Sequence, residues 1–428
     1  MKNNLVKQTL ICAMSLFMVS CGTNTVNQEV TTVLETSSPI VSETPSATIE
    51  TTSSVKVDGT TINTSELFTE RDLEQEPDLT NVKTITLKDN EDVSITEEGT
   101  YVVAGNVKEV TITVEVTDSD KVQLVLDDVT ITNTDFPCIY VKNADKVFVT
   151  TTNTTNNLSV TGSFISDGDI GTDAVIYSKD DLVLNGVGSI IINSSDNGVV
   201  SKDDLKVTGG TLDITCANNA LRGNDSVVIY DGNFTINSKD DGIHAEDNDD
   251  TNVGYVYIAN GTFNINASDD AIHATTILQL DGGTYTLNGA EALEATYIRI
   301  NDGKVIIQAS DDGINASTKS TFTTPTIEIN GGDITISMAQ GDTDAIDSNG
   351  NINVNGGTIT INAQFAFDFD GKAELNGGTV IVNGNEVTQI TNAMMEALVK
   401  EECLVGIKVI CLHKVASMEG VGTKIGLT

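Results

Sequence analysis

A seven-residue phrase, S-D-D-A-I-H-A at Ser268 to Ala274, returns with the same grammar along most of this chain, and that recurrence limits the folds open to it. Aligned on the residue two before each aliphatic one, the copies begin at Asn197, Asn219, Asp241, Asp270, Glu291, Asp312 and Asp344, in steps of 22, 22, 29, 21, 21 and 32. A period near 21 or 22, stretched twice by insertion, marks a stacked-repeat architecture. A second phrase precedes each copy, as in V-T-G-G-T-L-D-I at Val207, I-A-N-G-T-F-N-I at Ile258, L-D-G-G-T-Y-T-L at Leu280 and V-N-G-G-T-I-T-I at Val354. Together the two phrases make one coil.

Within a coil the apolar residues alternate, which is the period of a half-buried strand, and no helical pattern separates the strands. Alternation puts Val256, Ile258, Phe263, Ile265, Ile272 and Ala274 inside, with Leu278, Leu280, Tyr285, Leu287, Leu293 and Ala295 one coil on. The Gly-Gly pairs at Gly209, Gly282, Gly331, Gly356 and Gly377 suit tight corners. The expected fold is all-β: a right-handed parallel β-helix of about eleven to twelve coils over residues 121–384, its hand set by the crossover rule. Residues 77–120 read as an N-terminal β cap.

The flanks read differently. Residues 1–20 have Lys2 and Lys7 before a short apolar run, the pattern of a signal peptide. The M-V-S-C segment resembles a bacterial lipobox, which implies lipid on Cys21 and an extracellular protein anchored to the cell membrane. Residues 21–76 are rich in Thr, Ser and Glu with little periodicity and read as a disordered tether. Residues 385–428 lack the repeat grammar and read as a divergent tail. Cys138 and Cys216 read as buried small hydrophobes, without the pairing of a disulfide framework or zinc site.

Charge narrows the partners. With 62 acidic against 23 basic residues, a formal charge of -39, nucleic acid and anionic membrane are repelled. Asp180, Asp181, Asp203 and Asp204 should share one corner of successive coils, and Asp240, Asp241, Asp269, Asp270, Asp311 and Asp312 another. Coils lie about 4.8 Å apart, so stacked carboxylates repel and call for a cation. Calcium, held by oxygens about 2.4 Å away on either side, suits that spacing. The competing reading is that these Asp residues only make turns.

The residue after each aliphatic one forms an outward ladder of Arg222, His244, His273, Glu294, Asn315 and Asp347, a candidate track for an extended sugar polymer. With no Trp in the chain, Tyr255, Tyr257 and Tyr297 are the rings available to stack on sugars.

The phrases L-V-L-D-D-V-T-I at Leu124, I-Y-V-K-N-A-D-K-V at Ile139, A-V-I-Y-S-K-D-D-L at Ala174 and G-V-V-S-K-D-D-L at Gly198 resemble a family of bacterial carbohydrate-binding parallel β-helix lipoproteins. That resemblance, from about Thr84 to Gly384, implies a pectate-lyase-like shape, bound calcium, and binding of cellulosic or polygalacturonate-type polymers. The expected function is calcium-dependent binding of plant-type polysaccharide by a monomer. The alternatives are a polysaccharide lyase, with Arg222, Lys239 and Lys202 as the available cations, and a structural or adhesive surface protein. Repetition argues against catalysis by the phrase itself, because an active site is needed once.

Overall fold

The structure, a computed structural model, describes residues 59–392 apart from 248, 249, 251, 252 and 342. The chain winds as a parallel β-helix whose coils contribute to three stacked sheets. Sheet A includes Ala174–Ser178, Asn197–Ser201, Leu221–Gly223, Ile243–Ala245, Ile314–Ala316 and Asp344–Ser348. Sheet B includes Lys146–Thr151, Asp181–Gly186, Asp204–Val207, Ser226–Ile229, Tyr255–Ile258 and Thr326–Ile329. Sheet C includes Thr211–Cys216, Asn233–Asn237, Thr262–Asn266, Thr284–Gly289 and Lys304–Ala309. Two strands, Ile272–Leu280 and Leu293–Ile300, run through the A–B corner and serve both sheets.

The alternation read from the sequence fills the interior. All twelve predicted core residues from Val256 to Ala295 are buried in one continuous cluster. Phe234, Phe263 and Tyr285 stack in successive coils, with centroids 4.5 and 4.8 Å apart and planes 5° from parallel. Such like-on-like ladders make each coil a template for the next. Cys138 and Cys216 are free thiols buried in the same core.

Corners are set by small residues. The second glycine of each Gly-Gly pair has positive φ, from +78° at Gly378 to +100° at Gly283, a region that an L side chain enters at a cost. At the corner entering sheet A, a Cβ on Gly242 would lie 2.6 Å from the Ala271 carbonyl oxygen. The aligned position holds Gly198, Ala220, Gly242, Ala271, Ala292, Gly313 and Ala345, and at Gly242 even an alanine would need the facing backbone to shift.

At the N-terminal end, Val82–Thr86 and Val93–Ile95 pair in parallel with Gly99–Lys108 and Ile112–Glu115. These residues thus stack in parallel register on the strands that follow. At the other end, the Asn383-Gly384 turn folds Asn385–Val387 antiparallel onto Thr379–Val382. Asn-Gly suits such a two-residue turn because both residues tolerate positive φ. The signal peptide, Cys21 and most of the divergent tail lie outside the described residues.

The expected tether needs correction over its last part. Residues 59–76 are not free but form a strap across the outer face of sheet B. Ile62 and Leu67 are buried against Val228, Tyr255, Tyr257, Ile277 and Tyr297, and Phe68 meets Tyr230 edge-on at 5.3 Å. Asp72, fully buried, lies 3.6 Å from Lys146 and 3.7 Å from Lys206. Gln75 accepts from the Gly186 amide and donates to the Thr208 carbonyl. Arg299 donates to the Thr60 carbonyl at 2.8 Å. A few apolar side chains in an otherwise polar segment suffice here, because the face of sheet B supplies the rest of the cluster.

Candidate functional site

Three groups of side chains lie along the coils. The first is at the A–B corner, where Asp181, Asp203 and Asp204 place carboxylate oxygens within 4.8 Å of one another. Burial, then Asp204, pushes Asp181 up to about 6. Burial, then Asp181 and Asp204, pushes Asp203 up to about 7. Asp225 adds a fourth carboxylate, raised by burial and by Asp204, Asp247 and Asp250. The amide oxygen of neighbouring Asn224 is buried without a hydrogen-bond partner. Lys146, 3.4 Å from Asp181, offsets part of this charge from the strap side. The insertion after Ala245 falls at this corner, as its position in the repeat predicts, and its Gly254 amide bonds the Asp225 carbonyl. Asp180 stands apart from the group and accepts from the Ala144 amide.

The second group follows the outward ladder of sheet A. Arg222, His244, His273, Glu294, Asn315 and Asp347 are successive register partners, as the repeat predicts. The expectation of an open solvated track is corrected: His244, His273, Glu294 and Asn315 are each 8% exposed or less. They are buried because they bond to one another and to the corner. His244 Nδ1 lies 2.6 Å from Asp241, and His273 Nδ1 lies 2.9 Å from Asp270 and 3.0 Å from Glu294. Lys319, from the second insertion, reaches Glu294 at 2.8 Å.

Burial opposes charge on His273, but its bonds to Asp270 and Glu294 outweigh that and raise it to about 10. The same contacts, with Lys319, lower Glu294 against its burial. Asp270 is pushed up to about 7, chiefly by burial. Glu291, whose outer oxygen is buried without a partner, is pushed up to about 9 by burial and then by Glu294. The two imidazoles stack 4.9 Å apart with planes 14° from parallel. A metal must lie near the plane of each ring it ligates, so these rings are not arranged to share one ion.

The second Asp of each C–A corner pair has a structural task that the turn-making reading foresaw. Asn197 accepts from the Asn219 amide, Asn219 from Asp241, and Asp241 from Asp270, each one coil on. Asp312 accepts from the Asp344 amide. Asp240, Asp241 and Asp269 do converge within 4.8 Å. Among the described residues Asp270 converges with His273 and Glu294 instead, and Asp311 and Asp312 join no such group.

The third group is the tyrosines, and here the expectation of sugar-stacking rings is corrected. Tyr255, Tyr257 and Tyr297 project from sheet B, not beside the histidine ladder, and are 3%, 5% and 8% exposed beneath the strap and Phe322. The Tyr257 and Tyr297 hydroxyls are held by Asp281 and Glu328. The strap was missed because its apolar residues, Ile62, Leu67 and Phe68, follow no period.

One feature beside the ladder stands out by charge. Lys202 and Arg222 are half-buried neighbours on the outer side of sheet A, with Lys202 Nζ 5.9 Å above the Tyr177 ring. Burial and then Arg222 hold Lys202 below the usual lysine range.

These features belong to a β-helix that presents carboxylate corners and a polar column on a rigid stack. The family of carbohydrate-binding domain-containing proteins matches residues 89–296 and 287–386, and the chain belongs to that family. A carbohydrate-binding domain-containing protein of Acetivibrio thermocellus is 36% identical over 138 residues, 31% of this chain. The match spans about half, 48%, of that relative's length. A solved structure described as a polysaccharide lyase-like protein from C. thermocellum, gadolinium derivative, aligns over 71% of this chain and 97% of its own, at 23% identity and a TM-score of 0.35.

Proposed function

We propose that this chain is a cell-surface polysaccharide-binding protein that uses calcium at the A–B corner to hold an acidic polymer of the polygalacturonate type. Family membership supports the carbohydrate. The observation that carries the cation is the convergence of Asp181, Asp203 and Asp204 within 4.8 Å of one another. This all-oxygen donor set fits a hard divalent ion, and water and polymer carboxylates would complete its shell. Calcium inverts the local sign, so an acidic protein can engage an acidic polymer. Lipidation at Cys21 would hold the protein at the membrane from outside, with the strap ending at the folded flank.

Affinity electrophoresis through polygalacturonate tests this reading. Migration should be retarded with calcium and restored by chelator, and Asp203→Asn should lose the calcium response. Equal migration in both gels, together with no retention on insoluble cellulose, would overturn it.

A further inference from the structure

The outer faces of the three sheets are dressed differently. Sheet A carries the histidine column and sheet B lies under the strap, whereas sheet C is open along three successive strands, Asn233–Asn237, Thr262–Asn266 and Thr284–Gly289. Each of these strands sends three side chains outward, and in a protein of formal charge -39 every one of them is Thr or Asn. Parallel register aligns them as a grid whose middle column is Thr235, Asn264 and Thr286. Its rows lie about 4.8 Å apart, the coil spacing, and its columns about 6.6 Å apart, two residues of strand. The nearest charges in the adjoining coils are Asp213 on one side and Lys304 on the other.

Strand propensity does not account for this grid. Thr suits a strand, but Asn is depleted from strands, and Asn264 stands at the middle of one. The side chains are exposed, with Thr286 and Asn288 half-buried, and none hydrogen-bonds another protein group among the described residues. Their hydroxyls and amides keep both donors and acceptors for an outside partner. Directly beneath, on the inner side of the same strands, Phe234, Phe263 and Tyr285 stack 4.5 and 4.8 Å apart with planes 5° from parallel. Successive coils therefore barely rotate here, and the grid is flat and held in place before any partner arrives.

Those features define the partner. It is uncharged, because the surrounding field repels polyanions and the grid supplies no cation. It is also flat, and it returns hydrogen bonds at many points, since each grid group gives up water on contact. We infer that the outer face of sheet C is a calcium-independent binding face for the flat surface of packed, uncharged polysaccharide chains. The inference rests on the polysaccharide-binding reading and adds a second face to it, one that works without the carboxylate corner. Packed chains suit a rigid grid better than a free chain does, because neither side then has much freedom left to lose.

The test is sedimentation of the whole protein, in excess chelator, with microcrystalline cellulose and with crystalline mannan as neutral solids. At least one solid should retain the protein, and soluble hydroxyethyl cellulose in large excess should not release it. Asn264→Glu and Thr235→Glu, each placing a charge in the grid, should weaken retention at least tenfold, while Leu79→Glu, at an exposed position away from sheet C, leaves it unchanged. Thermal melts establish that each variant is folded, and two grid variants guard against one failing to fold. Loss of retention on both solids, release by the soluble chain, or full retention of a folded grid variant overturns the face. Calcium-dependent retardation in polygalacturonate gels with no retention on either solid overturns this inference alone. Retention in chelator without gel retardation overturns the calcium corner and leaves the face standing.

Discussion

The A–B corner and the histidine column are both acidic, both partly buried and both built by repetition, yet they neutralise themselves differently. In the column, His273 stands between Asp270 and Glu294, and the second insertion adds Lys319. There Asp270 and Glu294 meet cations supplied by the chain, and Glu291, raised to about 9, keeps its proton instead. At the corner, Asp203, Asp204 and Asp225 gather, and among the described residues Lys146 is the cation bonded to the group, through Asp181. The first insertion carries Asp247 and Asp250 toward Asp225, adding charge of the same sign. One site is closed and the other open, so repetition alone does not make a ligand site; an uncompensated remainder does.

That contrast predicts opposite responses to perturbation. The largest effect belongs to the column. Removing one partner of a buried charge network costs about 3–5 kcal/mol, because the other charges stay buried. His273→Ala should therefore destabilise the protein by about that much in urea unfolding, and calcium should not restore it. A loss under 1 kcal/mol would mean that the column is not internally compensated.

The corner should respond to the ion instead. Calcium at a hundred times its dissociation constant adds about 2.7 kcal/mol. The melting temperature should rise by several degrees on adding calcium to chelated protein, and Asp203→Asn should abolish the rise. Identical melts with calcium and with chelator would erase the distinction between the two regions.

How far this contrast was legible in the sequence follows from which residues obey the period. The coil, the interior positions and the outward ladder recur every 21 or 22 residues, and stacking fixes their register. The first insertion falls at the A–B corner for the same reason. What did not recur was not legible. Ile62 and Leu67 have no repeat partners, so nothing announced a strap that would bury Tyr255 and Tyr257. Burial of His244 and His273 was also hidden, because it depends on side chains of adjacent coils closing over one another. Nor does the Asp-Asp motif reveal by itself that Asp241 serves the amide of Asp270 while Asp203 is left to converge with its neighbours.

The smallest effect is the pH dependence, and its window separates the regions. Asp181 and Asp203 hold their protons up to about 6 and 7, above the ordinary value of 3.8. A carboxyl raised in the folded state contributes most below its unfolded pKa, and its contribution declines as pH climbs toward the folded one. Chelated protein should thus lose stability between about pH 4 and pH 7, modestly, since water still screens these groups. Asp270, Glu291 and Asp347 are raised as well and add to the same slope. Bound calcium would lower the corner carboxylates alone, so the difference between the calcium and chelator curves isolates them, and it should widen from pH 4 to 7. His273 has the same sign in a later window: its contribution is complete below 6.5 and is lost only as pH rises through about 10. Melts from pH 4 to 10 with and without calcium would show both windows, and a calcium increment independent of pH would remove the corner carboxylates as its source.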